Sequence, residues 1–313
     1  MAVNKWTAAE IPSQAGKLAL ITGANSGIGF HAAMELARAG AAVILACRDL
    51  QKGAAARQRI LQELPQAAVE LLQLDLANLA SIRGAAREFL TSGRVLDLLV
   101  NNAGVMALPE RQFTDNGFEK QIGTNHLGHF ALTSMLLPAV QAAPHPRIVT
   151  VSSIAHRGGH IRFDDLNWTR DYKPWPAYRQ SKLANLYFAF ELERRLRRTD
   201  SKAISLAVHP GVANTNLFQA GPGQGGGLLA KAIPAFIALT SQTDAQGALP
   251  TLYGASAPMV RGGGYYGPDG FREMRGYPVE VKAEAQAYDE AAAQRLWKLS
   301  EQLTDEIFEG LKR

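Results

Sequence analysis

Along this chain, short runs of β-branched residues and leucine alternate with longer stretches whose apolar positions recur at helical spacing. A short apolar run buried on both faces suits a parallel strand, and a helix-length stretch between two such runs supplies the crossover that parallel strands require. Strands are expected at 18–22, 42–46, 69–74, 96–101, 147–152 and 204–208, and helices at 27–39, 51–64, 79–90, 117–140, 177–198 and 243–255. A short strand at 264–267 is expected to close the sheet. Residues 279–308 mix alanine and charge with Leu296, Trp297, Leu299 and Leu303, the pattern of a terminal helical region packed on the rest. The expectation is an α/β protein: one doubly wound domain spanning 1–313, with a central parallel sheet, helices on both faces and a C-terminal helical extension at 279–313.

Two stretches break the alternation, 156–176 and 211–227, the second containing GPGQGGG. The first carries Trp168, Tyr172 and Trp175, which either cover a pocket or anchor a surface loop. Within 211–240, the glycine hinge precedes LLAKAIPAFIAL, so this segment is expected to be a substrate lid. A helix packed permanently into the core or an interface is the open alternative.

Composition narrows the setting. With 313 residues, 47% apolar and 19% charged, the chain can bury a large core. The single Cys47 excludes an internal disulfide and a cysteine-rich metal site, so a reducing, cytoplasmic location is expected. No apolar run reaches the ~18 residues of a spanning helix; 228–240 is interrupted by Lys231 and Pro234, and the N-terminal stretch lacks an apolar h-region, so no membrane anchor is expected. The net charge of +5 is scattered except at Arg194, Arg195, Arg197 and Arg198, which share a helix with Glu191 and Glu193. Without an aromatic stacking platform this reads as a solvated helix end, and no nucleic-acid partner is expected.

The candidate chemistry lies at strand ends. In TGANSGIG, Gly23, Gly27 and Gly29 stand between the first strand and the first helix, with Asn25, Ser26 and Ile28 among them. There a tight turn brings backbone N–H groups and a helix N-terminus up to a pyrophosphate. Asp75 and Leu76 follow the third strand, and Asn102, Ala103 and Gly104 the fourth, where open α/β sheets bind ligands. After the second strand an NAD site places a carboxylate on the ribose; this chain has Arg48, which favours the 2′-phosphate of NADP, with Asp49 as a competing group and NAD as the weaker alternative. Tyr178 and Lys182 fall at i and i+4 on one helix face. A tyrosine can protonate a developing alkoxide if its pKa falls from ~10 by two to three units, about 3–4 kcal/mol of preferential phenolate stabilisation. Tyr178 is thus the expected acid/base and Lys182 its electrostatic partner. His126 and His129, at i and i+3, lack further ligands at metal spacing and are expected to be packed or hydrogen-bonded.

TGANSGIG, LDL, NNAGVM, TNHLGHF, VTVSS, YRQSK and HPGVANT occur in the order and context of short-chain dehydrogenase/reductases, covering roughly residues 16–255. ILACRD, NNAGVM, NHLGHF and SKLAN are similar to the branch of retinol dehydrogenases, WW-domain oxidoreductases and, more distantly, light-dependent protochlorophyllide reductases. The resemblance implies a Rossmann domain. It also implies that Lys182 hydrogen-bonds the nicotinamide ribose, Ser153 orients the substrate oxygen and Asn125 holds a water in a proton relay. Pro210, Gly211, Val212 and Thr215 match the family segment that contacts nicotinamide and phosphates. The expected activity is NADPH-dependent hydride transfer to or from the carbonyl or alcohol of an apolar small molecule. Reduction of a conjugated C=C bond and a non-catalytic NADP-binding regulator are the alternatives. A homodimer or homotetramer is expected through the helix bearing Leu183, Leu186, Tyr187, Phe188, Phe190 and Leu192, unless the C-terminal region covers that face.

Overall fold

The computed structural model describes residues 5–212 and 242–311. Its strands are β1 (Leu18–Thr22), β2 (Ala42–Cys47), β3 (Val69–Gln73), β4 (Leu98–Asn101), β5 (Arg147–Val151), β6 (Ile204–Val208), β7 (Tyr265–Pro268) and β8 (Pro278–Glu280). They form an eight-stranded sheet in the order β3-β2-β1-β4-β5-β6-β7-β8. The main helices are α1 (Gly27–Arg38), α2 (Leu50–Glu63), α3 (Leu79–Thr91), α4 (Gly128–Gln141), α5 (Pro174–Leu196), α6 (Asp244–Ser256) and α7 (Glu290–Thr304).

Side chains alternate across the sheet with period two. In β1, Leu18 and Leu20 join the core beneath α3, α4 and α5, whereas Ala19 and Ile21 join the core beneath α1, α2 and α6. Both faces are therefore apolar, which explains the continuous hydrophobic runs; burying each large aliphatic side chain contributes about 1.5–3 kcal/mol. Chain order reverses where β1 lies between β2 and β4, opening a crevice at the carboxyl ends of β1 and β4.

The expected closing strand is present as β7, but it is not the edge. β8 pairs antiparallel with it, Tyr266 opposite Glu280 and Pro268 opposite Pro278. Val279 and Glu280 are thus strand rather than helix; a three-residue strand opened by proline has too few positions to show a period. The helical extension begins with the 3₁₀ turn Ala285–Tyr288. The helix expected over 117–140 is delayed and divided. Glu119 caps a single turn, Lys120–Ile122, by accepting from the Gln121 and Ile122 N–H groups, and a π-helical turn, Gly123–Leu127, precedes α4.

α5 is buried nearly all round between Gln180 and Glu193, and the C-terminal region covers its outer face. Phe188 stacks on Trp297 (centroids 5.9 Å apart) and Phe190 on Tyr288 (5.2 Å). Leu183, Leu186, Tyr187, Phe188, Phe190 and Leu192 are all buried within one chain, so the apolar surplus of this helix is satisfied without a second subunit. At its end, Arg194 and Arg195 pair with Glu191, and Arg197 with Glu193. Among the described residues no helix is long and apolar enough to cross a membrane. Thr215 and all of the expected lid beyond Val212 lie outside the described residues.

Candidate active site

A cavity of about 730 Å³ runs along the carboxyl ends of the strands. Its wall contains Gly23, Asn25, Ser26, Gly27, Ile28, Gly29, Arg48, Asp75, Leu76, Asn102, Ala103, Gly104, Ser153, Tyr178, Lys182, Pro210, Gly211 and Val212, every expected site residue among those described except Asn125.

At one end the glycine turn packs against β4. A Cβ on Gly29 would stand 2.5 Å from Asn102 Nδ2 and 2.7 Å from the Gly23 carbonyl oxygen, so only glycine fits. Thr22 knits this end together: its Oγ1 accepts from the N–H groups of Asn102 and Ala103, each at 2.9 Å. His129 Nδ1 lies 3.0 Å from the Asn125 carbonyl, which requires the ring proton there; Nε2 then accepts from the Thr22 hydroxyl at 2.9 Å. His126 bonds to Ser300 of α7 at 2.8 Å, so both histidines hold elements together.

The N-terminus of α1 suits an anion. Ser26 at α1, like the residues before α4 and α5, makes no side-chain cap hydrogen bond, whereas Asp49, Asn78, Thr243 and Asp289 cap α2, α3, α6 and α7. What sets α1 apart is that its first-turn residues Gly27, Ile28 and Gly29 line the cavity, where a pyrophosphate could meet a helix N-terminus. Asp49 spends its carboxylate on the Gln51 and Lys52 N–H groups at 3.0 and 3.1 Å. Arg48 is exposed on the cavity wall. Asp49 is turned into its own helix, while Arg48 lines the cavity.

At the other end stand Ser153, Tyr178 and Lys182. Tyr178 is 6% exposed, its ring edge-on to Trp175 at 6.1 Å. Burial pushes its phenol up to about 12, against the opposing hydrogen bond of Ser153. Burial likewise pulls the Lys182 ammonium down to about 8. The lowering expected from the ammonium and the oxidised nicotinamide together has this burial to overcome. Lys182 Nζ donates to the Val151 carbonyl at 3.2 Å and lies 5.7 Å from the Tyr178 ring centroid, and dehydration of the phenol dominates. The resting phenol is a proton donor.

Asn125 sits behind the wall within the π-helical turn. Its Oδ1 accepts from Val105 N at 2.8 Å, and its Nδ2 donates to the Val105 carbonyl and Ser181 Oγ at 2.9 Å each. Its amide is used in holding Val105, in the segment after β4, against Ser181 of α5. Gly104 permits this approach, since a Cβ there would meet Asn125 Oδ1 at 3.0 Å. Of the aromatic trio, Trp175 lines the cavity; Tyr172 instead donates to the Leu108 carbonyl, and Trp168 is buried beneath Arg162. The loop is both cover and anchor. Sequence reasoning missed Thr22, Arg157 and Arg179 in the wall. Thr22 and Arg179 adjoin recognised motif residues, the one available signal.

The family described as short chain dehydrogenase matches residues 17–222. Retinol dehydrogenase 13 of Homo sapiens is 42% identical over 95% of this chain and 88% of its own length. Polyprenol dehydrogenase of Mus musculus is 38% identical, over 94% of this chain and 85% of its own. Among solved structures, an uncharacterized protein from Mycobacterium paratuberculosis superposes with a TM-score of 0.79 and 44% identity, covering 97% of this chain and 99% of that one.

Proposed function

Since the chain belongs to the short chain dehydrogenase family, we propose that it is an NADPH-dependent reductase of an apolar aldehyde or ketone, working in reverse on the alcohol. The observation that carries this reading is the convergence of Ser153, Tyr178 and Lys182 on the same cavity as the glycine turn. The residues suited to hold the cofactor are the Gly23–Gly29 turn, Arg48, Asp75, Asn102 and the Pro210–Val212 segment. When bound, the nicotinamide supplies the hydride. The chain's own part is the proton: Ser153 holds the substrate oxygen beside the phenol, and Tyr178 delivers its O–H proton to the oxygen as alkoxide charge develops. Lys182 then stabilises the phenolate, with its ammonium still largely protonated at neutral pH. Asn125 serves this set by fixing Val105, in the segment after β4, against α5.

Substrate class rests on the rest of the wall. Met106, Leu108, Ile154, Ala155 and Trp175 supply apolar surface beyond the dyad. Two relatives carry the names of isoprenoid alcohols, retinol and polyprenol, which suit such a surface. A cytoplasmic location, checked by cell fractionation, completes the proposal.

The test is oxidation of NADPH and NADH against a panel of retinal, medium-chain aldehydes, aromatic ketones and charged sugars. Turnover of apolar carbonyls with NADPH is expected. Binding of NADPH without turnover of any member would point to the regulator instead, and a preference for charged sugars would overturn the substrate class.

A further inference from the structure

The loop 269–277 between β7 and β8 is remote in sequence from the site motifs, yet it closes over the end of β6. Val212 N–H donates to the Met274 carbonyl at 2.7 Å. Gln242 ties both sides, its Nε2 donating to the Pro210 carbonyl at 2.7 Å and its Oε1 accepting from Gly276 N–H at 3.2 Å. Gly211 has a φ of 67°, and a Cβ there would stand 2.3 Å from the Met274 carbonyl oxygen. The loop and the Pro210–Val212 turn are thus fitted backbone to backbone.

Within that loop Arg272 and Glu273 occupy the left-handed region, with φ of 50° and 59°. Two successive residues with a Cβ adopt it only where their surroundings over-determine the geometry. Here the Glu273 carboxylate does so. Its Oε2 lies 2.7 Å from Arg157 Nη2 and 3.0 Å from His209 Nε2. His209 is fully buried, and its Nδ1 accepts from Gly211 N–H at 3.2 Å, which leaves the ring proton on Nε2, facing the carboxylate. Burial opposes the charge on Glu273, but the adjacent His209 ring and Arg157 guanidinium outweigh it and hold the carboxyl below its ordinary range. Arg157 and Pro210–Val212 are both parts of the cavity wall.

We propose that Glu273 is a positioning residue that locks the Pro210–Val212 turn to the Arg157 wall through His209, and so sets dinucleotide affinity without touching the reacting atoms. The proposal rests on reading the cavity as a dinucleotide site. It places a determinant of cofactor binding in the C-terminal hairpin, beyond the matched family segment.

The test compares the unmodified enzyme with Glu273→Gln and Glu273→Gly. Amide hydrogen exchange at Gly211 and Val212 is read without nucleotide, together with the NADPH dissociation constant, the melting temperature and the split between KM for NADPH and kcat. Glycine removes the carboxylate and the backbone strain together, so the melting temperature should hold or rise while both amides exchange faster. NADPH affinity should fall about tenfold, as for loss of a hydrogen bond to a charged group, and the loss should appear mainly in KM. Glutamine, which keeps an acceptor for His209, should recover part of it. A Glu273→Gly enzyme with unmodified exchange or unmodified affinity would overturn the proposal. Failure of the unmodified protein to bind either dinucleotide would overturn the site reading itself, and the positioning role with it.

Discussion

The β1–α1 turn, half-exposed along the cavity, and the α5–α7 face, fully buried, are built on opposite logic. At the turn, what matters is absence of bulk and direction of polar groups: Gly29 admits Asn102, and Thr22 answers two N–H groups and an imidazole. At the α5–α7 face the content is aromatic volume gathered from distant points of the chain, with Phe130, Phe188, Trp297 and Phe308 in mutual contact. The first region shapes the wall of a cavity, and the second excludes water. Substitutions should therefore separate: function lost at constant stability in one, stability lost at constant binding in the other.

The largest expected effect is at the front. Tyr178→Phe keeps the ring and its contact with Trp175 and removes the proton, so kcat should fall roughly 100- to 10,000-fold. The NADPH dissociation constant should stay within a few-fold and the melting temperature should barely move. Retention of most activity would end the acid/base assignment. At the back, Trp297→Ala removes a side chain only 2% exposed, together with its ring contacts to Phe130 at 5.0 Å and Phe308 at 4.5 Å. A loss of about 3–5 kcal/mol in urea unfolding is expected, with NADPH affinity unchanged in the fraction still folded. A Trp297→Ala protein of ordinary stability would break the contrast.

The buried histidines join the two regions, since His129 touches Thr22 and His126 touches Ser300. Burial, aided by the neighbouring His129, holds His126 down to about 3; burial, aided by Lys182, holds His129 down to about 4. Both lie below the ordinary 6.5 of the unfolded chain. The unfolded state therefore takes up protons first as pH falls below ~6.5, and stability present above that pH drains away down to about pH 3–4, by a few kcal/mol. Urea unfolding at pH 7, 5.5 and 4.5 reads the slope, and His126→Gln should flatten part of it. A stability independent of pH over that range would show that the imidazoles are solvated.

The same contrast explains what was legible beforehand. The glycine turn and the dyad were readable because their geometry is local: strand, turn and helix follow within a dozen residues, and Tyr178 and Lys182 share a helix face. β1 and β6 have the expected bounds because their apolar runs are bracketed by turns. β8 was not readable, since a three-residue strand has no period, and neither were the contacts of Glu273, whose partners Arg157 and His209 lie far away in sequence. Spacing gave the proximity of ammonium and phenol but not the balance between them, because dehydration depends on everything packed around Tyr178. For Asn125 the motif gave the position, while the wall it stands behind came from the fold.

The smallest predicted effect sharpens the comparison by testing whether a front residue can change specificity alone. Arg48 is exposed on the cavity wall at the end of β2, and Asp49, the group able to compete for a ribose, is committed to capping α2 and lies 3.8 Å from Lys52 Nζ. A charge-assisted pair with a 2′-phosphate is worth about 1.5–3 kcal/mol, or roughly 10- to 150-fold in affinity. Arg48→Ala should weaken NADPH by that factor, leave NADH within about threefold and leave the melting temperature unmoved, because no packing is lost. Fluorescence titration with both dinucleotides measures it. If the unmodified enzyme binds NADH as tightly as NADPH, the guanidinium is an ordinary exposed arginine and the choice of cofactor lies with another group. If Arg48→Ala weakens both dinucleotides equally, the residue acts on the pyrophosphate or the adenine rather than on the 2′-phosphate.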